Sequence, residues 1–462
     1  MVIGKSPSAE DVLREAGIER YLKPSDELNT IQVSMLETLK SMDENPTEYP
    51  THLEKVHSFV TKLWDKYDCK DIIEILDALT IVEPPLLYLE RRPNKRYRDH
   101  YVHIFNVFIL GLRILSLIIQ ALGDSRASDL LKVKDEPIHS KIPEFHDYPW
   151  KERLFYLWTL IATFHDIAIP ITHLGGVRNG LNEFLKKFGL EVSGPNLLPY
   201  FPSDLEQYFE LLDRLFEGKM QMVNAWCYKQ DCPNIYVRAV LQRKFTEQDH
   251  GVLSGFLMYK KIEEIFLELE RKIKHSLSLE SFSRYTQYVL RQDIARAALA
   301  ISLHNLKPDP KTQYPKLKYL LLDFFDYPLT YLLIIVDSLQ EYLRWEGTSI
   351  RGGTKLMTFP DLKLEAKDKR MELKITFFVT DEPYEKEYLI AQAQATARNE
   401  GRPPRGETWG EAAQDLCDSM AREIASQTRR NELFQIVLAF SDKNGELFSR
   451  DVHIRGGKHE EP

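Results

Sequence analysis

The 462-residue chain carries a formal net charge of -8, with 43% hydrophobic and 28% charged residues. That balance is typical of a soluble globular protein, and the acidic surplus disfavours nucleic acid as a partner, because phosphate backbones select basic surfaces. The four cysteines are few for this length and predict no disulfide framework. An apolar leader and an uninterrupted membrane-spanning run are both lacking, so the sequence predicts a cytoplasmic protein without a membrane partner.

Helical periodicity dominates the first 350 residues. Residues 1–85 are predicted to form a helical lead-in that ends at Pro84-Pro85, and residues 86–350 an all-helical domain. The predicted helices are Glu54–Tyr67, Lys70–Val82, Val102–Leu122, Lys151–Phe164, Ser203–Leu215, Val252–Ile273, Asp293–Leu303 and Tyr327–Arg344.

The pattern changes in residues 351–462, which are predicted to form a small α+β domain with a regulatory or assembly role. A hairpin is expected across Asp442–Gly445, where a polar turn separates two alternating segments. The predicted strands are Leu362–Ala366, Met371–Thr380, Leu433–Ser441 and Glu446–Ile454, and the predicted helices are Tyr384–Arg398 and Gly410–Gln427. The fold class is therefore mainly α, with a small C-terminal α+β domain.

The pair His165-Asp166 lies inside the apolar run Leu157–Ile167. A carboxylate in such a run is costly to bury unless it is paired or binds a metal ion. Further candidate ligands lie in or beside other apolar helical segments: His103, His250, His304 and Asp337. Six ligand-type residues on five helical segments predict one metal centre.

Adjacent helical residues point about 100° apart, so Asp166 is placed to bridge two ions while His165 binds one of them. A mononuclear site would use His103, His165, Asp166 and Asp337. Such a site leaves His250 and His304 unassigned, whereas a second ion would take both imidazoles and the other oxygen of Asp166. The alternative is that Asp249-His250 caps a helix and His304 closes one.

These residues resemble the HD-domain metal-dependent phosphohydrolases, whose hallmark is a His, then His-Asp, then a later Asp on an all-helical fold. The resemblance covers about residues 97–344, and the order of the motifs matches throughout. The motifs are Arg98-Asp-His-Tyr-Val-His103-Ile-Phe-Asn-Val107, Phe164-His-Asp-Ile167, Asp249-His-Gly-Val-Leu-Ser254, Leu303-His304 and Ile335-Val-Asp337-Ser-Leu-Gln-Glu341. His103 is preferred over His100 because the first His of the family often stands four residues before a small apolar residue, here Val107.

The additional His250 and His304 make the chain similar to the dinuclear HD-GYP phosphodiesterases of cyclic dinucleotides. That resemblance implies two divalent ions, iron or manganese first, with magnesium, zinc, nickel or cobalt as alternatives. One ion would be held by His103, His165, Asp166 and Asp337, and the other by Asp166, His250 and His304. Three features depart from the pattern: Ala168-Ile169-Pro170 replaces the frequent Gly-Lys-Pro, no Gly-Tyr-Pro follows, and Asn305 stands where some relatives have a second His.

The implied activity is hydrolysis of a phosphoester in a small nucleotide-like molecule, a cyclic dinucleotide or another phosphodiester ahead of a monoester. Arg96, Arg98 and Arg344 are the candidate phosphate contacts, because a guanidinium matches the phosphate oxygens. Besides Asp166, the candidate catalytic groups are His100, His173 as proton donor to the leaving oxygen, and Arg344.

Two alternatives stay open at this point. One is a mononuclear nucleotidase or deoxynucleoside-triphosphate hydrolase. The other is a non-catalytic nucleotide-binding signalling module that keeps the metal site as architecture. A homo-oligomer is compatible with each of these hypotheses.

Overall fold

The structure is a computed structural model of the 462-residue chain. It describes residues 7–44, 49–67, 69–89, 100–133, 136–137, 147–172, 207–210, 212, 241–242, 244–246, 249–274, 280–305, 322–342, 359–367, 370–378, 383–399, 401, 403, 408–428, 431–442 and 445–453.

The chain divides into two compact units, and each unit is built from segments that are far apart in sequence. The first contains Met1–Lys62, Phe105–Lys132 and Lys307–Pro462, and the second contains Leu63–Ile104 and Val133–Leu306. The division into domains at residues 85 and 350 stays a prediction.

Helices make up most of the described chain, which confirms the mainly α class. The helices are α1 (Ala9–Ala16), α2 (Asp26–Glu44), α3 (Tyr49–Asp65), α4 (Lys70–Leu89), α5 (His100–Leu122), α6 (Asp124–Leu131), α7 (Trp150–Phe164), α8 (His250–Lys274), α9 (Glu280–Leu303), α10 (Pro328–Tyr342), α11 (Pro383–Asn399) and α12 (Trp409–Gln427), with a short 3-10 turn at Ile18–Arg20.

Two local expectations were wrong. Helix α4 continues through Pro84 and Pro85 to Leu89, whereas the prolines were expected to end it. A proline inside a helix removes one amide donor at a cost of about 3 kcal/mol, which disfavours the helix without forbidding it. In addition, the region expected to be all-helical contains a small antiparallel ribbon of β1 (Glu136–Pro137) and β2 (Asp147–Tyr148).

The C-terminal α+β prediction is confirmed. Strands β3 (Asp361–Lys367), β4 (Arg370–Phe378), β5 (Phe434–Asp442) and β6 (Gly445–Asp451) form one sheet in that order. The outer pairs are antiparallel and β4 runs parallel to β5. A parallel pair needs a long crossover, and α11 and α12 lie in that connection. The expected hairpin is present, with Asp442 paired to Gly445.

The first unit also buries an arginine. The Arg113 guanidinium on α5 is fully buried, forms an ion pair with Glu15 and donates a 2.8 Å hydrogen bond to the backbone carbonyl of Pro360. Burial lowers the pKa of Arg113, and the adjacent Glu15 carboxylate opposes that shift. This contact joins α1, α5 and the residue before β3 within the first unit.

In the second unit, α7, α8 and α9 pack against one another. A fully buried ion pair connects two of these helices, because Arg153 on α7 donates two hydrogen bonds of 2.8 and 2.7 Å to the two carboxylate oxygens of Asp293 on α9. A paired, forked contact of this kind fixes how the helices lie along each other. The C-terminal ends of α7 and α9 carry candidate ligands.

Two helical segments are long and apolar enough to cross a membrane, judged by length and composition only. They are His100–Leu122 and Trp150–Thr172, and 94% and 89% of their most apolar windows are buried inside the protein. Burial of this extent is what a core helix shows, as the sequence predicted for the segment from Tyr101 to Leu122.

Candidate metal centre

The His165-Asp166 pair lies just beyond the end of a buried helix. Helix α7 ends at Phe164, and residues 165–168 form a turn in which the backbone amide of Ile169 donates to the carbonyl of Asp166 at 3.0 Å. His165 and Asp166 are both buried, at 0% and 3% exposure. His165 keeps a helical backbone conformation, and its Nε2 atom nevertheless lies 3.5 Å from Oδ2 of Asp166.

A second helix end has the same construction. Helix α9 ends at Leu303, and His304 follows it directly. The Nδ1 atom of His304 lies 2.5 Å from the carbonyl of Ile301, and Nδ1 of His165 lies 3.0 Å from the carbonyl of Ala162. In each case the ring donates its Nδ1 proton to the carbonyl three residues earlier. The Nε2 lone pair of each histidine is therefore left for a metal ion.

The first group of ligand atoms surrounds one oxygen of Asp166. His103 on α5 places its Nε2 atom 3.2 Å from Oδ2 of Asp166, and Nε2 of His165 lies 3.5 Å from the same oxygen. The two Nε2 atoms are 2.8 Å apart. All three side chains are at least 96% buried.

The second group surrounds the other oxygen of Asp166. His250, the first residue of α8, places Nε2 3.5 Å from Oδ1 of Asp166, and Nε2 of His304 lies 3.9 Å from that oxygen. One ligand atom from each of the three residues lies within 4.8 Å of the others. The aspartate therefore offers each of its oxygens to a different pair of histidines.

The distances fit metal binding. Ligand atoms about 2.1 Å from one ion lie about 3.0 to 3.4 Å from each other in octahedral or tetrahedral geometry, and most of the distances here are close to that range. The buried Nε2 atom of His304 makes no hydrogen bond to any described residue. A buried polar atom without a hydrogen bond calls for an explanation such as an ion, and a divalent cation would satisfy it.

The helix dipoles alone do not favour a cation. The C-terminal ends of α7 and α9 bring partial negative charge to the cluster, but His250 begins α8 and His103 lies in the first turn of α5, where the partial charge is positive. Exposure separates the two groups: the side chain of His250 is 24% exposed, whereas those of His103, His165, Asp166 and His304 are 3% or less. Of these five side chains, that of His250 is therefore the most accessible to solvent.

Two contacts outside the ligand set position the cluster. Ser254 on α8 accepts a 3.0 Å hydrogen bond from the backbone amide of Ala168, which ties the turn after Asp166 to α8. Gly251 lies against the end of α9, where an added Cβ atom would stand 3.1 Å from the carbonyl of Ile301 and 3.2 Å from the ring of His304. A glycine is used here because the helices approach closely.

A buried tyrosine lies beside the end of α9. The hydroxyl groups of Tyr208 and Ser302 are 2.5 Å apart. Burial raises the pKa of Tyr208, so its phenol stays neutral. It therefore adds no negative charge next to His304.

The other predicted site residues divide into two sets. His100, the first residue of α5, is 2% exposed, and Asp337, half-buried in α10, belongs to the first unit. The roles of these two residues stay predictions. Four candidates lie outside the described residues: Arg96, Arg98, His173 and Arg344.

The sequence did not single out Asn305, Ser254 and Gly251 as functional. Asn305 was noted only as a departure from the family pattern. Nevertheless, its Nδ2 atom lies 3.3 Å from Nδ1 of His250. Its position directly after a candidate ligand was the one available signal.

Comparisons with known protein families, with curated proteins and with solved structures find no match for this chain. The interpretation of the site therefore depends on the residues and their geometry.

Proposed function

We propose that the chain is a metal-dependent phosphohydrolase with a dinuclear centre, acting on a phosphodiester of a small nucleotide-like molecule in the cytoplasm. One observation carries the proposal: the two oxygens of the buried Asp166 carboxylate face two different histidine pairs. A bridging carboxylate with imidazoles on both sides is a ligand set for two ions of the iron, manganese or zinc type.

Each residue of the cluster has a proposed role in metal binding. Asp166 would hold both ions, His103 and His165 would bind the first, and His250 and His304 would bind the second. Asp337 is proposed as the fourth ligand of the first ion, on the strength of the motif order. A metal centre held by these residues would supply a hydroxide nucleophile at neutral pH and would neutralise the phosphoryl oxygens as charge develops.

The chain itself supplies orientation and a dry environment. The Nδ1 bonds of His165 and His304 to backbone carbonyls fix the rings before any ion binds, which limits reorganisation during the reaction. The proposed contacts with phosphate are Arg96, Arg98 and Arg344, and the proposed proton-transfer groups are His100 and His173.

The test is turnover by protein purified without chelator and loaded with Mn²⁺ or Fe²⁺. The proposal predicts hydrolysis of bis(p-nitrophenyl) phosphate that exceeds hydrolysis of p-nitrophenyl phosphate, and loss of this activity on chelation. A panel of cyclic dinucleotides follows if the diester is cleaved. Hydrolysis of monoesters or nucleotides alone, with one ion bound, would favour a nucleotidase. Nucleotide binding without turnover of any phosphoester would contradict the enzyme proposal.

A further inference from the structure

The amide of Asn305 lies behind the ring of His250, on the side away from Asp166. Nδ2 of Asn305 is 3.3 Å from Nδ1 of His250, whereas Nε2 of the same ring is 3.5 Å from Oδ1 of Asp166. The imidazole thus stands between a carboxylate at one nitrogen and an amide at the other. Neither His165 nor His304 has this arrangement, because a backbone carbonyl accepts from Nδ1 of each.

This difference matters because a backbone carbonyl only accepts hydrogen bonds. It therefore holds the proton on Nδ1 and keeps the Nε2 lone pair available for metal. An asparagine amide can either donate through its nitrogen or accept through its oxygen, after a half-turn about its terminal torsion. Asn305 can thus support His250 in both tautomers.

We propose that Asn305 is a positioning residue that controls occupancy of the second metal site through His250; this inference rests on the proposed dinuclear centre. With the amide nitrogen of Asn305 toward Nδ1, the proton of His250 lies on Nε2 and points to Asp166. With the amide oxygen toward Nδ1, the proton moves to Nδ1 and Nε2 becomes a ligand. The second ion therefore exchanges more readily than the first.

Exposure supports the same conclusion. The side chain of His250 is 24% exposed, whereas those of His103, His165 and Asp166 are 3% exposed or less. A ligand at the solvent boundary lets an ion enter and leave without opening the helical core. Asn305 is itself only half-buried, so its amide has room to turn.

The experiment titrates chelator-treated protein with Mn²⁺ and follows free Mn²⁺ by electron paramagnetic resonance, which resolves two classes of site. Asn305→Leu keeps the number and branching of the side-chain heavy atoms and removes both hydrogen-bonding atoms. It is expected to weaken the second ion about 10-fold to 100-fold, the usual cost of losing an outer-shell partner, and to leave the first unchanged. Asn305→Asp is expected to restore and exceed wild-type affinity for the second ion, because a carboxylate only accepts.

The charge of the new aspartate is controlled by comparing the two sites. A general electrostatic effect would tighten both ions alike, whereas action through His250 tightens the second ion more. Thermal unfolding of each metal-free variant checks that the helices remain folded.

Three outcomes overturn the inference, and they are distinguishable. Unchanged affinities in Asn305→Leu, with two ions in the wild type, would refute the role of Asn305 and leave the proposed function standing. An Asn305→Asp variant no tighter than Asn305→Leu would do the same. A wild-type protein with fewer than two Mn²⁺ sites would contradict the dinuclear centre and the inference together.

Discussion

The ends of helices α7 and α9 are two versions of one local structure. Residues 160–167 read Leu-Ile-Ala-Thr-Phe-His-Asp-Ile and residues 299–306 read Leu-Ala-Ile-Ser-Leu-His-Asn-Leu. Both helices end one residue before the histidine, and both histidines donate Nδ1 to the carbonyl three residues earlier. The residue that follows differs: the Asp166 carboxylate lies near four imidazoles, whereas the Asn305 amide nitrogen lies 3.3 Å from Nδ1 of His250.

The same local structure at the ends of α7 and α9 can therefore serve two different roles. The apolar helix and the carbonyl bond orient a histidine in the same way at both ends. An aspartate in the next position provides the charge that two cations need, while an asparagine provides only a neutral hydrogen-bonding group. The end of α7 should therefore be needed for binding of both ions. The end of α9 should influence the affinity of the second ion.

The largest expected effect comes from removing the shared carboxylate. Asp166→Ala is expected to lose both ions and all phosphoester turnover, because the two oxygens of this carboxylate face the two histidine pairs. Metal analysis and a turnover assay measure this directly. Asp166→Asn is the matched control for volume, since it keeps the shape but not the charge and should also lose metal. Full activity in Asp166→Ala would rule out the mechanism.

A smaller and selective effect is expected from deleting either terminal histidine. His304→Ala should remove mainly the ion on Oδ1 of Asp166, and His165→Ala mainly the ion on Oδ2, since each ring faces a different oxygen. Mn²⁺ titration of the two variants side by side measures which class of site disappears. If both variants lost the same site, the two helix ends would not serve different ions.

The smallest expected effects come from the two contacts that position the helix ends. Gly251→Ala places a methyl group 3.2 Å from the ring of His304 and should weaken the second ion about tenfold. Ser254→Ala removes the acceptor of the Ala168 amide, which should cost about 1 to 3 kcal/mol of stability if the amide stays dry. Because that turn carries Asp166, Ser254→Ala should weaken both ions. If Gly251→Ala weakened both ions equally, the end of α9 would not act selectively on the second ion.

The sequence predicted much of the architecture. Its helical periodicity located α5, α7, α8 and α10 to within about two residues, and the alternation after residue 360 located all four strands of the sheet. Other bounds were less accurate: α3 begins five residues before the predicted Glu54, and α4 ends seven residues after the predicted Val82. In α9 only Asp293–Leu303 was predicted, because its first half lacks a clear apolar stripe. Apolar periodicity finds buried faces and misses helical turns that lack one.

The sequence predicted the residues of the buried His/Asp cluster but not the residues that position them. His165-Asp166 stood out because a charged pair in an apolar run is costly without a partner. Gly251 and Asn305 gave no such signal, since their roles depend on how the start of α8 meets the end of α9. That contact forms only in the tertiary structure. No local sequence pattern reveals that the amide of Asn305 lies next to the ring of His250.

The most direct test of the dinuclear centre is elemental analysis of protein purified without chelator or air, comparing wild type with His250→Ala. The dinuclear proposal predicts near two iron or manganese ions per wild-type chain, falling toward one in the variant, because His250 binds only the second ion. One ion in both proteins would contradict the dinuclear centre, and no bound metal in the wild type would contradict the metal site itself.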